Sequence, residues 1–191
     1  QSIVEAVLWV GSIYSAESKR PVFFSFSWTT KEEDLPISLP QKLYGVPVVA
    51  AGNEKAIDWV SGMCEVKSTH TAQSLGRQLV VRIKWPGDVI AVMNVDKNGG
   101  PDCNSSILEI DNNVVLSYPG RLSSDVCGTS FSTPRVAWFF AAREAIREPP
   151  MDIPDWQRAL RTEVQLMREN SACAFNKIRF DPAKFLAISP P

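Results

Sequence analysis

Residues 127–137 read Cys-Gly-Thr-Ser-Phe-Ser-Thr-Pro-Arg-Val-Ala, and this stretch is the most informative in the chain. The small residues Gly128 and Thr129 allow a sharp turn, and the apolar residues that follow predict a helix buried inside a domain. Ser130 then lies in the first turn of that helix, where unpaired N–H groups and the helix dipole favour negative charge. Pro134 costs little in an opening turn. The stretch therefore predicts a nucleophilic serine, and the alternative is a serine that only caps a buried helix.

Residues 48–54 read Val-Val-Ala-Ala-Gly-Asn-Glu and form a second informative segment. A strand of valine and alanine that ends at Gly52 holds the amide of Asn53 on a rigid sheet. From there Asn53 can donate a hydrogen bond to the oxygen that becomes negative in a tetrahedral intermediate, with the Ser130 backbone N–H as the second donor. The alternative is an asparagine that only forms a turn after glycine.

The two segments occur in the order found in subtilisin-like serine proteases (subtilases), and the chain resembles that family over most of its length. Gly-Thr-Ser-x-x-x-Pro is the family's setting for its nucleophile, and residues 48–54 resemble its oxyanion loop. Residues 22–27 resemble a strand whose exit forms one rail of the substrate cleft, residues 89–96 the strand after the oxyanion loop, and residues 114–120 the turn before the nucleophile. The resemblance implies a three-layer α/β fold, with a mostly parallel central sheet and helices on both faces.

The resemblance also implies a serine endopeptidase activity on protein or peptide substrates. The residues that it assigns to substrate binding are Ser25, Phe26 and Ser27 on the rail, and Ala50, Ala51 and Gly52 around the side chain preceding the scissile bond. Two departures from the family stand out. Trp28 replaces a glycine at the end of the rail and narrows or reshapes the cleft, and Arg135 replaces the histidine that commonly follows the proline. Position 53 is asparagine and not aspartate, and in this respect the chain resembles the subtilisins rather than the related sedolisins.

The family's catalytic aspartate and histidine come from segments upstream of the strand that begins near Pro21, and those segments are not in this chain. We therefore predict that residues 1–191 form the C-terminal portion of a peptidase domain, whose partner is the N-terminal remainder. Residues 55–88 form an insertion that either overhangs the cleft or only elaborates the surface. The single histidine, His70, lies in a polar stretch between Asn53 and Ser130, and we interpret it as a surface-loop residue rather than the base. A non-catalytic module that binds peptides in the same cleft is the alternative function.

Composition excludes several other classes of function. With 45% apolar and 21% charged residues the chain has the composition of an ordinary globular protein. Its 20 basic and 21 acidic residues nearly cancel, so there is no net positive charge to attract nucleic acid. It contains no apolar run long enough to span a bilayer. The four cysteines lack metal-site spacing, so no metal or other cofactor is predicted and their pairing stays open. Calcium is compatible with the resemblance, although no site is identifiable, and secretion is compatible too, although the compartment stays open.

A coarse reading of secondary structure gives alternating strands and helices, which is typical of a mostly parallel sheet. An amphipathic helix opens the chain, a short helix ends near Tyr44, and residues 155–170 form a second amphipathic helix. Residues 79–83 are a further possible strand. Residues 125–127 are predicted to form a short buried strand, on which Cys127 is a small apolar filler. The last packed elements of the domain contain Phe175, Ile178, Phe180, Phe185 and Leu186.

Overall fold

The structure is a computed structural model of residues 1–191. It describes residues 3–17, 20–27, 37–38, 45–53, 70–71, 83–84, 90–97, 102–103, 105, 108–109, 114–147, 159, 162 and 180–187. The predicted helix near Tyr44 and the side chain of Trp28 lie outside these residues. So do most of the predicted strand over residues 79–83 and most of the predicted helix over residues 155–170.

The described elements begin with a helix, continue with a series of strands and end with helices. In chain order they are α1 (Ile3–Glu17), β1 (Val22–Phe26), β2 (Ile37–Ser38), β3 (Gly45–Ala50), β4 (His70–Thr71), β5 (Ile83–Lys84), β6 (Ile90–Asn94), β7 (Leu108–Glu109), β8 (Val114–Tyr118), α2 (Thr129–Ile146) and α3 (Pro182–Ala187). Within the described ranges no helix is long and apolar enough to cross a membrane.

A four-stranded parallel sheet in the order β1-β3-β6-β8 forms the centre of the fold. Every residue of β3 and β6 is buried, and such strands are near-continuous apolar runs because both faces of a parallel sheet are covered. Two short parallel pairs, β2 with β5 and β4 with β7, lie outside this sheet. The α/β class with a mostly parallel sheet, predicted from sequence, is therefore confirmed.

Helix α2 packs across the sheet and forms the core with it. Val136, Ala137 and Phe140 are buried against valine, isoleucine and leucine side chains from β3, β6 and β8. Full burial of a valine or phenylalanine side chain stabilises a fold by roughly 1.5–3 kcal/mol. The chain then closes over the helix, with the Phe185 ring centroid 4.6 Å from that of Phe140. Phe180 and Phe185 are buried, as predicted for the closing elements, whereas Leu186 is exposed.

The prediction that α2 is buried on nearly all sides is wrong for the described structure. Trp138 and Ile146 are 62% and 75% exposed, whereas the charged residues Arg143 and Glu144 are buried. The sheet covers only one face of the helix, so apolar composition alone did not indicate which side faces inward. Pro134 also lies deeper than expected, because it is the sixth residue of the helix and not part of its opening turn.

The strand predicted over residues 125–127 is also wrong. Residues 122–125 are bends, and a single antiparallel bridge joins Arg121 to Cys127. Leu122 and Val126 are exposed, so no apolar burial favours a strand here. Cys127 is half-buried and forms a disulfide with Cys103, which replaces its predicted role as an apolar filler.

Candidate active site

Three predicted site segments meet at one edge of the sheet. Ser27 follows β1, Asn53 follows β3, and Ser130 is the second residue of α2. The carboxyl ends of parallel strands lie at the same edge of a sheet, and ligands of open α/β sheets bind outside that edge. The N-terminus of α2 lies there too, because hydrogen bonds join it to both loops.

Gly128 brings Asn53 against the start of α2. Its φ of 148° and ψ of 171° lie in a region that is essentially restricted to glycine. A Cβ at this position would stand 2.9 Å from Asn53 Nδ2 and 3.2 Å from Asn53 Oδ1. Glycine is thus required twice, by the backbone conformation and by the packing of the amide.

Two donors on Thr129 fix the orientation of the Asn53 amide. The Thr129 N–H and the Thr129 hydroxyl donate to Asn53 Oδ1 at 3.0 Å and 3.1 Å. Since Oδ1 accepts both bonds, Nδ2 is the donor end of the amide. Nδ2 donates to no residue in the described part of the chain. The amide is thus held by its oxygen with its N–H groups available, which is the arrangement that an oxyanion donor needs.

The hydroxyl of Ser130 contacts the predicted substrate rail. Ser130 Oγ donates to the Ser27 carbonyl at 3.3 Å, and Ser27 Oγ donates to the Ser130 carbonyl at 3.2 Å. The second bond has a cause in the sequence, because Pro134 has no N–H for the carbonyl four residues earlier. Proline thus leaves the Ser130 carbonyl free, and the Ser27 hydroxyl satisfies it.

The backbone of the first turn leaves a second donor beside Asn53. The hydrogen bonds of the turn begin with Phe131 N and Ser132 N, which donate to the Gly128 carbonyl at 3.0 Å and 3.4 Å. Within the described ranges, Ser130 N–H has no acceptor, as expected at the start of a helix. Anions are favoured at such a helix end.

The predicted substrate-binding residues line this edge with different exposures. Ser25 is exposed, Phe26 is buried, and Ser27 is half-buried. Beside them, Ala50 and Ala51 are 7% and 0% exposed, and the Ala51 N–H donates to the Val92 carbonyl at 2.9 Å. Gly52 has a positive φ of 91°, which turns the chain out of β3 toward Asn53.

His70 belongs to β4, which pairs with β7 and not with the four-stranded sheet. The only hydrogen-bond acceptor of Ser130 Oγ among the described residues is the Ser27 carbonyl. Among the described residues, a carboxylate and two cysteine sulfurs come together at Asp102, Cys103 and Cys127. The two sulfurs are bonded to each other and are therefore not available as metal ligands.

Sequence reasoning missed a set of contacts behind the site. Asp102 forms two hydrogen bonds with Arg121, from Nε to Oδ2 at 3.0 Å and from Nη2 to Oδ1 at 2.6 Å. These bonds and the charge of Asp102 raise the pKa of Arg121 above its ordinary value.

A second set of contacts that sequence reasoning missed is centred on Asn94. Asn94, the last residue of β6, is fully buried and forms hydrogen bonds with three other segments. The only sequence signal for it was a polar residue directly after the apolar run of residues 90–93.

Several solved structures are similar to this chain in their fold. A serine-to-alanine mutant of the protease domain of PatA is 15% identical, with a TM-score of 0.52 over 95% of this chain and 63% of that chain. The self-cleaved protease domain of PatA is 18% identical, with a TM-score of 0.53 over 97% of this chain and 67% of that chain. MycP1 with its N-terminal propeptide removed is 17% identical, with a TM-score of 0.47 over 100% of this chain and 69% of that chain.

No protein-family model and no curated protein matches the sequence. The chain spans 63% of the length of the first PatA structure. At these levels of identity the comparison concerns the fold, and it confirms the fold-level resemblance drawn from the sequence. The chain has the α/β fold of the subtilisin-like protease domains.

Proposed function

We propose that this chain is the part of a serine endopeptidase domain that carries the nucleophile, Ser130, and an oxyanion donor, Asn53. The observation that carries this proposal is the pair of hydrogen bonds from Thr129 to Asn53 Oδ1, at 3.0 Å and 3.1 Å. They hold an asparagine amide, by its oxygen, against the helix turn on which Ser130 lies. A turn-forming asparagine needs no such anchoring.

In the proposed reaction, Ser130 Oγ attacks the carbonyl carbon of the scissile peptide bond and its proton passes to a base. The negative oxygen of the tetrahedral intermediate accepts hydrogen bonds from Asn53 Nδ2 and from the Ser130 N–H. The C–N bond then breaks, and the base gives its proton to the leaving amine. Water hydrolyses the resulting acyl-enzyme by the same route and regenerates the hydroxyl.

The base and the group that orients it are proposed to be a histidine and an aspartate N-terminal to Gln1. Ser130 Oγ has no imidazole or carboxylate as its hydrogen-bond acceptor in the described ranges, and it donates to the Ser27 carbonyl instead. A serine without a base is a weak nucleophile. Movement of the hydroxyl from Ser27 to the base would activate it.

An extended peptide is the proposed substrate. Its backbone would run along the exit of β1, at Ser25, Phe26 and Ser27. The side chain preceding the scissile bond would lie against Ala50, Ala51 and Gly52, at the end of β3. A protease-type function is supported by the fold that this chain shares with the PatA protease domains.

A second candidate function is peptide binding without catalysis. It is favoured by the same hydrogen bond from Ser130 Oγ to the Ser27 carbonyl, which occupies the hydroxyl. Such a module would use the sheet edge and the helix end as a cleft for an extended chain. It needs no base.

Hydrolysis of a fluorogenic peptide library separates the two functions. Residues 1–191 alone should show no turnover above the rate of the Ser130→Ala variant, because the general-base step is missing. The longest form of the protein, with any polypeptide N-terminal to Gln1, should hydrolyse peptides and lose this activity in Ser130→Ala. Peptide binding without turnover by that longest form would favour the module. Turnover by residues 1–191 that requires Ser130 would mean that the base lies within this chain.

A further inference from the structure

Behind the site, the side chain of Asn94 joins three segments that are distant in sequence. Asn94 Oδ1 accepts hydrogen bonds from the Gly120 N–H at 2.6 Å and from the Ser132 hydroxyl at 3.2 Å. Asn94 Nδ2 donates to the Asp102 carbonyl at 3.2 Å. The Asn94 side chain is fully buried, and its bonds to Gly120 and Ser132 are buried with it. A buried amide with several partners is a fixed junction, because losing one partner leaves a polar group unsatisfied.

The three segments all lead to the turn that carries Ser130. Gly120 ends the turn after β8, from which the chain runs through residues 121–127 to Gly128. Ser132 lies in the first turn of α2, two residues after Ser130. Asp102 precedes Cys103, whose disulfide to Cys127 ends directly before Gly128. Asn94 therefore holds both ends of the chain segment that approaches the nucleophile.

Close packing leaves little freedom at this junction. A Cβ at Gly120 would overlap the Ser132 hydroxyl and the Gly128 carbonyl, and would lie 2.9 Å from Asn94 Oδ1. The Gly128 carbonyl is also the acceptor for Phe131 N at 3.0 Å, so it belongs to the first helical turn. A shift of the Asn94 amide would therefore move the turn and, with it, the Ser130 N–H.

We propose that Asn94 is a positioning residue that holds the turn from Gly128 to Ser130 against the sheet, through its bond to the Ser132 hydroxyl. The part of this proposal that concerns catalysis rests on the function proposed above. Asn94 does not touch the substrate. It acts through the turn, which sets where the Ser130 hydroxyl and its N–H stand relative to Asn53. A displacement of about 1 Å at a catalytic site lowers the reaction rate about a hundredfold, so a residue that fixes the position of this turn affects the rate.

The chain offers a matched pair of variants for the test. Ser132→Ala deletes a buried hydroxyl that donates to the Asn94 side chain, and leaves Oδ1 with Gly120 as its donor. Ser105→Ala deletes a buried hydroxyl that accepts from the Asn94 backbone N–H at 2.9 Å. Both variants remove one buried hydrogen bond to the same residue, and the melting temperature of each variant controls for folding. Only Ser132→Ala cuts the link to the helix.

Steady-state kinetics on the longest form of the protein give the first readout. Ser132→Ala should lower kcat about tenfold with KM unchanged, because the transition-state donors move while substrate contacts remain. Ser105→Ala should leave kcat within about twofold, since the Asn94 side chain keeps all its bonds. Asn94→Ala, where it folds, should lower kcat at least as much as Ser132→Ala. Equal losses of kcat in the Ser132 and Ser105 variants would overturn the proposal, because a merely structural role predicts equality.

Amide hydrogen exchange on residues 1–191 gives a readout that needs no activity. In Ser132→Ala the hydrogen-bonded amides of Thr129, Phe131 and Ser132 should exchange about tenfold faster, while those of β6 should not change. In Ser105→Ala the same helix amides should exchange at the original rate. If the longest form proves inactive, the function proposed above fails, and this exchange pattern still decides the role of Asn94. Faster exchange spread equally over β6 and the helix would overturn it.

Discussion

Replacing Gly128 with alanine tests how the site is built. The native φ of 148° is one that alanine rarely adopts, and the strain of such a conformation is about 1–3 kcal/mol. The new Cβ would also lie 2.9 Å from Asn53 Nδ2, which is closer than real Cβ contacts. Asn53 is exposed, so its amide can move outward instead of the helix unfolding. Stability should therefore fall by the strain of about 1–3 kcal/mol and, in addition, by about 1–3 kcal/mol for the hydrogen bonds that buried Thr129 loses.

Activity should fall even in the variant protein that stays folded. Outward movement of Asn53 breaks its bonds to Thr129 at 3.0 Å and 3.1 Å and withdraws Nδ2 from the proposed oxyanion position. Removing one oxyanion donor lowers kcat by about 10² to 10³, or about 2.7–4 kcal/mol. We therefore expect Gly128→Ala to lose kcat by about this factor, with KM within about threefold, in steady-state assays of the longest form of the protein.

A double-mutant cycle with Asn53→Ala assigns the mechanism. If Gly128→Ala acts by displacing Asn53, the double variant should be no slower than Asn53→Ala alone, so the two effects are strongly non-additive. The free energy of unfolding of each variant, measured by urea denaturation, controls for folding. Independent, additive losses of kcat would refute the reasoning. So would a Gly128→Ala variant with native kcat.

Two further predictions follow from the same contacts. Asn53→Ala should lower kcat by about 10² to 10³ with little change in KM, a magnitude known from a subtilisin oxyanion asparagine, and a rise in KM alone would make Asn53 a binding residue. Replacing Cys103 and Cys127 together with alanine should lower the free energy of unfolding by about 3 kcal/mol, because the disulfide spans a sequence separation of 24. Urea denaturation measures this loss, and a native midpoint would contradict it.

The central sheet was predictable because its strands have one simple signature. The residues of β3 and β6 are buried throughout, and residues 46–51 and 90–93 appear in the sequence as nearly continuous apolar runs. The start of α2 was predictable for a similar local reason, since glycine, threonine and serine before an apolar segment are typical of a helix beginning. The positions of Asn53 and Ser130 at one sheet edge follow from these elements, and their catalytic roles stay predictions.

The contacts that organise the site were not predictable, because each depends on which loops meet in space. The disulfide of Cys127 requires Cys103 to lie beside it, and neither spacing nor composition indicates this pair. The bond from the Ser27 hydroxyl to the Ser130 carbonyl depends on Pro134 four residues further along the helix. Asn94 comes after the apolar residues 90–93, where asparagine is usually a turn former, and its burial is visible only once β8 and α2 are packed against it.

Labelling with an organofluorophosphonate probe tests the central claim, that Ser130 is an activated nucleophile, most directly. The longest form of the protein is treated with the probe, digested and mapped by mass spectrometry, with Ser130→Ala as the control. We predict one adduct, on Ser130, that is lost in Ser130→Ala, while Ser132 and the exposed loop residues Ser123 and Ser124 stay unlabelled. An unlabelled but folded domain, or an adduct on another serine, would contradict the account.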